Sequence, residues 1–132
     1  MSMTDPVADL FTRMRNAVGA RRKHADLPHS GLKERVCRVL EKEGYLREVR
    51  VTDVEGRKRL RAYFRLDEDG VPVLQNIERM SKPGRRVYLK ASDVPRVLRG
   101  MGVGVFSTSR GLLTDRECRD QRLGGEYLVR IW

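Results

Sequence analysis

The chain has 132 residues, of which 28 are Lys or Arg and 18 are Asp or Glu, giving a net charge of +10 at pH 7. The excess is +7 in residues 1–66 and +3 in residues 67–132, so a basic folded surface is favoured over a basic tail, with nucleic acid as the first partner to consider. The two cysteines lack metal-ligand spacing and no long apolar stretch occurs, which disfavours a disulfide framework, a zinc site, secretion and a membrane span.

A first helix is predicted to begin at Thr4-Asp5-Pro6, where a capping hydroxyl, an acid and a proline suit a helix start. Apolar residues recur at helical spacing from Val7 to Val18, and Gly19 is expected to end the helix. The opposite face carries Arg13 and Arg15. A phosphate-binding cluster and a solvated helix face are about equally favoured for these arginines.

A short strand is predicted near Lys23–Leu27, followed by a second helix that Ser30 caps and Gly44 ends. Cys37 adjoins the apolar stripe of that helix and is expected to be a small buried residue rather than a reactive thiol. The predicted order up to this point is helix, strand, helix.

A hairpin is predicted next, with strands at Leu46–Thr52 and Arg57–Leu66 joined by a turn at Asp53–Gly56. Apolar and polar residues alternate along the second strand, so that one face should pack and the other should be exposed. The exposed face should carry Arg59, Arg61, Tyr63 and Arg65. The amino-terminal part is therefore an α-β-α-β-β unit.

The acidic segment Asp67–Pro72, rich in turn residues, is the best candidate for a domain boundary. We expect an amino-terminal α/β domain at residues 1–70 and a β-rich carboxy-terminal domain with short helices at residues 71–132. The fold class is α+β, with two small domains packed together.

Short strands are predicted in the second domain at Leu74–Met80 and Arg86–Lys90, on either side of Ser81-Lys82-Pro83-Gly84. Proline before glycine is typical of a type II turn. A short helical turn should begin at residues 92–95. The glycines at 100, 102 and 104 favour close backbone packing or a bulge over a dinucleotide fingerprint, because no helix follows them directly.

A strand ending at Phe106 should deliver the polar loop Ser107-Thr108-Ser109-Arg110-Gly111 to a sheet edge. Thr114 and Glu117 then form a capping box that starts a short helix. A final strand is predicted at Glu126–Trp132. Hydroxyls beside a cation suit contacts with phosphates, sugars and base edges.

No convincing active site is found in the sequence. His24 and His29 flank a proline loop without a paired nucleophile, and Ser107 and Ser109 lack the elbow motif of serine hydrolases. A small hydrolase or nuclease that uses Glu126 with Ser109 is a disfavoured alternative, since no second carboxylate accompanies the glutamate. We expect no enzyme activity, no cofactor and no metal.

The chain closely resembles the bacterial small-subunit ribosomal protein eight family. The motifs that carry the resemblance are the following: Thr4–Asp9 with Arg13, Arg15, Asn16 and Ala17; Glu43-Gly44-Tyr45; Ser81–Tyr88; Ser107–Glu117; Gly124-Gly125-Glu126; and Trp132. The resemblance covers essentially the whole chain and is highly specific at residues 107–117.

The resemblance implies a cytoplasmic ribosomal protein that binds an irregular region of a helix in the central domain of small-subunit rRNA. Its implied roles are subunit assembly and translation, beside neighbouring small-subunit proteins. The alternative function is repression of translation by binding the messenger of its own operon. The implied RNA contacts are Tyr88, Ser107, Thr108, Ser109, Glu126 and Arg110, which stands where a lysine is usual.

The remaining predicted RNA contacts are cationic. Lys82, Arg85 and Arg86 belong to the family motif Ser81–Tyr88, and the two arginines are expected to meet phosphates. The resemblance implies a second RNA helix near Arg13, Arg15 and Lys58.

Two of the predicted contacts keep open alternatives. Glu126 either accepts a hydrogen bond from a base amino group or orients Ser107 or Ser109, because a carboxylate is repelled by phosphate. Tyr88 either stacks on a base, which is favoured, or packs.

Overall fold

The structure is a computed structural model that describes residues 6–132, so the predicted helix cap Thr4 lies outside the described residues. The chain divides into two compact units, the first ending at Gln75 and the second spanning Asn76–Trp132. Helices and antiparallel sheets occur together, which confirms the α+β class. That the units are domains divided near residue 70 stays a prediction.

The first unit has the predicted α-β-α-β-β order. Its elements are α1 (Pro6–Gly19), β1 (His24–Pro28), α2 (Gly31–Lys42), β2 (Leu46–Val54) and β3 (Arg57–Phe64). The strands form an antiparallel sheet in the order β1-β3-β2. The long hairpin predicted in this unit is therefore the middle and one edge of a three-stranded sheet.

The second helix begins and ends where its local signals predict. The Ser30 side chain accepts a hydrogen bond from the backbone N–H of Lys33 at 3.2 Å, which satisfies one free donor of the first turn. Gly44 follows the helix with a φ of +88°, a conformation that favours glycine. Cys37 is fully buried on the inner side of the helix, as predicted.

The hairpin of the first unit has a tighter turn than predicted. Strand pairing continues to Val54 and Arg57, so the turn consists of Glu55 and Gly56 alone. Both residues have positive φ, at 54° and 78°, which is the geometry of a two-residue turn that matches strand twist. Along β3, Leu60 is fully buried, and so are Ala62 and Phe64, which confirms the predicted packing face.

The second unit is built on a five-stranded antiparallel sheet. Its elements are β4 (Ile77–Arg79), β5 (Tyr88–Leu89), β6 (Val103–Thr108), β7 (Gly111–Thr114), α3 (Asp115–Gln121) and β8 (Gly125–Ile131). The order is β4-β8-β6-β7, and β5 also pairs with β8. Short 3-10 turns lie at Ala91–Asp93 and Val97–Gly100, where the sequence predicted one helical turn.

The predictions for β4 and β5 were too long. Both strands pair with the same edge of the seven-residue strand β8, at Ile77 opposite Ile131 and at Tyr88 opposite Glu126, so each occupies only part of that edge. The turn between them is present, but Gly84 does not have the positive φ of a type II turn. The type II prediction was therefore wrong.

Gly102 shows the close packing that its sequence context predicts. A Cβ atom at this position would lie 2.6 Å from the Ile131 carbonyl oxygen and 2.6 Å from a methyl carbon of Val97. Any larger residue would push β6 away from the end of β8. The glycine thus lets the two neighbouring strands approach, and the dinucleotide interpretation has no support in the fold.

Candidate nucleic-acid interface

Three residues predicted to contact RNA lie side by side across the second sheet. Tyr88 of β5 is the register partner of Glu126 of β8, and Ser107 of β6 is the partner of the same glutamate. Directly opposed residues of antiparallel strands project their side chains to the same face. We call Tyr88, Glu126 and Ser107 the polar row.

The polar row faces outward because the adjacent strand residues fill the core. Phe106 and Tyr127 are almost fully buried, and their rings stack with centroids 4.5 Å apart. The same apolar cluster contains Val94, Leu113 and Cys118. Since successive side chains of a strand point to opposite faces, burial of this ring pair leaves Ser107 and Glu126 on the outer face. Tyr88 is 68% exposed, so its ring is available for a base.

The polar loop after β6 is a two-residue hairpin turn made by Ser109 and Arg110. Pairing continues through Thr108 and Gly111, so β7 begins where the sequence predicted only a loop. The Thr108 hydroxyl donates to the Gly111 carbonyl oxygen at 2.8 Å and accepts from the Arg110 backbone N–H at 3.0 Å. Gly111 has a φ of +93°. The turn is therefore fixed by its own hydrogen bonds and by a glycine conformation.

The hydroxyls of Ser107, Thr108 and Ser109 differ in their hydrogen bonding. The hydrogen of the Thr108 hydroxyl is already donated within the turn. Ser107 and Ser109 are exposed, and within residues 6–132 their hydroxyls bond to no other group. A serine hydroxyl donates one hydrogen bond and accepts two, which matches a sugar hydroxyl or a base edge. The two serines are thus better placed for RNA than the threonine between them.

A second loop, residues 81–86, is attached to the polar row through Glu126. Oε2 of Glu126 accepts from the Ser81 hydroxyl at 2.5 Å and from Nη1 of Arg86 at 3.1 Å. Ser81 also accepts from the backbone N–H of Val87 at 3.2 Å and is almost fully buried. The glutamate therefore joins the loop to the sheet.

This network corrects one alternative for Glu126 and adds a residue that the sequence did not reveal. The glutamate does not orient Ser107 or Ser109, because its side-chain hydrogen bonds go to Ser81 and Arg86. Ser81 and Glu126 are 45 residues apart in the chain, and the pairing of both β4 and β5 with β8 brings them together. No local pattern in the sequence signals that contact.

Four predicted cations lie on the two loops that border the polar row. Lys82 and Arg85 close a tight turn by two backbone hydrogen bonds of 3.0 and 2.9 Å, and neither side chain has a partner in the described part of the chain. Arg86 is 49% exposed despite its ion pair. Nη1 of Arg110 donates to Gln121 at 3.2 Å. The border of the row is therefore positively charged.

The other predicted contacts, Arg13, Arg15 and Lys58, are exposed residues of the first unit. Nε of Arg13 lies 3.1 Å from the Asp9 carboxylate. The ammonium group of Lys33 and the Arg13 guanidinium hold the pKa of Asp9 below its usual value. Arg13 borders a recess of about 360 Å³, also lined by Asn16, Arg22, His24 and Asp26. The structure does not gather Arg15 and Lys58 into this recess.

The side chains with catalytic potential are either bonded to other residues or held in an unreactive form. Glu126 of the disfavoured hydrolase pair bonds to Ser81 and Arg86 rather than to Ser109. Burial raises the pKa of the Cys37 thiol to about 12, so the nucleophilic thiolate is scarce at neutral pH. In the described residues no cluster of three or more His, Cys, Asp or Glu is arranged to hold a metal ion.

The family is decided by comparison with known proteins, since the family model described as Ribosomal protein S8 matches residues 5–132. The chain belongs to the ribosomal protein S8 family. Proteins named small ribosomal subunit protein uS8 are 46% identical in Natranaerobius thermophilus and 42% identical in Halothermothrix orenii, each over the full length of both chains. The protein of that name in Solibacter usitatus is 43% identical over 98% of each chain.

Membership in the ribosomal protein S8 family confirms the predicted resemblance and the broad function. The chain is a structural constituent of the small ribosomal subunit and not an enzyme. Among the described helices, none has the length and apolar character needed to span a membrane.

Proposed function

We propose that the chain binds the central domain of small-subunit rRNA through its carboxy-terminal unit and thereby supports subunit assembly and translation. The polar row carries this proposal. It places an exposed tyrosine ring and a serine hydroxyl on one outer sheet face, next to the Ser109–Arg110 turn. Membership in a family of the cytoplasmic small ribosomal subunit supports the same partner.

The chemistry of the row fits an irregular RNA element better than a regular duplex. The major groove of A-form RNA is too deep and narrow for side chains, so proteins use unstacked bases and 2′-hydroxyls. Tyr88 offers a ring for stacking, worth about 1–3 kcal/mol per base. The hydroxyls of Ser107 and Ser109 recognise sugar and base edges, which a distorted helix exposes.

The bordering cations supply attraction to phosphates. Lys82, Arg85, Arg86 and Arg110 lie on the loops at residues 81–86 and 109–110. Phosphate contacts position a protein on RNA but carry little sequence information. Arg110 presents a planar fork at a position where the resemblance to the family implies a lysine, so it can bind one phosphate through two N–H groups.

We further propose that the first unit contacts a second RNA segment near Arg13, Arg15 and Lys58. The recess beside Arg13 supports this, because it is open and the terminal nitrogens of that arginine are not used by the ion pair to Asp9. A phosphate in the recess would meet Arg13 and Arg22 together.

The test is binding of the purified chain to a transcript of the central domain of a bacterial small-subunit rRNA. A regular RNA duplex of the same length is the control. We expect affinity for the central domain to exceed that for the duplex about 1,000-fold, the lower end of the range typical of specific nucleic-acid binding. Crosslinks should join the polar row to the irregular region of one helix. Equal affinity for both RNAs would contradict the proposal.

As a small-subunit constituent, the chain has rRNA and other ribosomal proteins as partners. We propose that the messenger of its own operon is also bound when its leader displays the same irregular element. The polar row reads local RNA shape, and that shape does not depend on the molecule that carries it. Competition between the leader transcript and the rRNA transcript for one site would support this, and simultaneous binding of both would contradict it.

A further inference from the structure

Ser81 is a buried residue at the start of the loop at residues 81–86, and its hydroxyl both donates and accepts a hydrogen bond. It donates to Oε2 of Glu126 at 2.5 Å and accepts from the backbone N–H of Val87 at 3.2 Å. The residue is 1% exposed, so it cannot touch RNA itself. Any influence of Ser81 on RNA binding must therefore pass through its partners.

The oxygen that accepts the hydrogen bond of Ser81, Oε2 of Glu126, also binds the exposed cation Arg86. Oε2 of Glu126 accepts from Nη1 of Arg86 at 3.1 Å, and the glutamate side chain is 17% exposed whereas the arginine side chain is 49% exposed. A guanidinium has five N–H donors in a rigid plane, so one bond to Glu126 orients the group and leaves donors for a phosphate.

We propose that Ser81 is a positioning residue for RNA binding, which orients the Arg86 guanidinium through Glu126 and anchors the turn at residues 82–85. This inference rests on the proposed rRNA-binding function of the same surface. Glu126 then contributes to RNA affinity by holding Arg86, rather than by reading a base.

The two roles for Glu126 predict different losses. A base contact carries sequence information, so its removal lowers discrimination between the central domain and a regular duplex. An oriented phosphate contact is the same on both RNAs, so its removal weakens both and leaves their ratio unchanged. Positioning by Ser81 therefore predicts a loss of general affinity without a loss of discrimination.

The first measurement compares Ser81→Ala with the unmodified chain on the central-domain transcript and on the duplex. We expect both affinities to fall about three- to tenfold, since one hydrogen bond that orients a charged group is lost. The matched control is Thr114→Ala, which removes a buried cap hydroxyl from α3 in the same unit. This control should lower stability without lowering RNA affinity in the folded chain.

The second measurement is a double-mutant cycle with Arg86→Ala. If Ser81 acts through Arg86, then Ser81→Ala should weaken RNA binding by less than about twofold in the Arg86→Ala background, because coupled residues are not additive. An unchanged effect in that background would overturn the proposal. So would equal affinity of Ser81→Ala and the unmodified chain, or a loss confined to the central-domain transcript.

Two further arms keep the outcomes separate. If Ser81→Ala does not fold, Glu126→Gln replaces it. This variant keeps an acceptor for the Ser81 hydroxyl but removes the charge that holds Arg86. The affinities for the central-domain transcript and for the duplex should again fall together. If the unmodified chain does not prefer the central-domain transcript to the duplex, the proposed function fails and the inference fails with it. If the chain prefers the transcript and Ser81→Ala has no effect, only the positioning role is overturned.

Discussion

Side chains of the polar row and of the two loops that border it divide into two chemical groups. Ser107 and Ser109 present hydroxyls that bond to nothing else in residues 6–132, and Arg85 presents a charge that is similarly without a partner. Hydroxyls that meet base and sugar edges specify an RNA, whereas a charge that meets a phosphate attracts any RNA. The two groups should therefore respond differently to substitution.

Replacing Ser107 and Ser109 by Ala should reduce discrimination between the central-domain transcript and a regular duplex. The expected loss is about 1–2 kcal/mol for each direct contact, because an RNA group is left desolvated and unpaired. The measurement is a pair of affinities for each variant, with circular dichroism to verify folding. Unchanged discrimination would show that the serines are not contacts.

Replacing Arg85 by Ala should weaken both RNAs to a similar degree and lower the salt dependence of binding by about one unit in log–log slope. Arg85 is preferable to Arg86 for this test, because Arg86 also holds Glu126. The same two RNAs at several salt concentrations give the result. A loss restricted to the central domain would identify Arg85 as a base contact instead.

At the scale of elements, the short helix α3 follows the hairpin that carries the Ser109–Arg110 turn. The Thr114 side chain accepts from the backbone N–H of Glu117 at 3.2 Å, and the Glu117 carboxylate accepts from the backbone N–H of Thr114 at 3.1 Å. This reciprocal cap satisfies two donors that a helix start leaves unpaired. Because α3 has only seven residues, its start depends strongly on that cap.

Replacing Thr114 by Ala should lower the free energy of unfolding by about 1 kcal/mol, the usual cost of losing a helix cap. Urea denaturation measures the change. Ser92→Ala is the control, since Ser92 is exposed and its 3-10 turn has no side-chain cap. Equal stability of the two variants would argue against a structural role for the capping box.

Elements determined by neighbouring residues could be predicted from the sequence, whereas elements determined by residues distant in the chain could not. The caps at Ser30 and Thr114 were found because a cap depends on residues within one turn. Strand β7 was missed and β5 was predicted too long, since the length of a strand is set by its partners. Periodicity along one strand does not show where pairing begins or ends.

In the candidate site too, contacts between residues distant in the chain could not be predicted from the sequence. The resemblance supplied Tyr88, Ser107 and Glu126 as candidates, but the sequence did not show that they are register neighbours. The role of Ser81 was missed altogether, because burial of its hydroxyl against a glutamate 45 residues away is a property of the folded sheet.

At the scale of the whole molecule, the two structural units carry net charge differently from the sequence halves 1–66 and 67–132. The acidic residues at 67–69 belong to the first unit, which has 16 basic and 12 acidic residues up to Gln75. The second unit, Asn76–Trp132, has 12 basic and 6 acidic residues. The smaller unit therefore has the larger net charge, +6 against +4, and the proposed rRNA surface lies in it.

The affinity of the whole chain for the central-domain transcript should fall steeply with salt. Each neutralised phosphate contributes about 0.7–0.9 to the log–log slope, so several contacts from the 28 cations should give a slope of several units. Titrations at increasing potassium chloride measure it. A nearly flat dependence would contradict the electrostatic part of the proposal.

Strand β8 has a consequence for how the protein folds as it is synthesised. This strand pairs with β4, β5 and β6, yet it follows all three in the chain. The first unit completes its own sheet by Phe64, so it can fold early on a translating ribosome, whereas the second sheet has no central strand until residues 125–131 have emerged. The sheet that carries the proposed rRNA surface of the second unit therefore forms later than the sheet of the first unit, only after residues 125–131 have been synthesised.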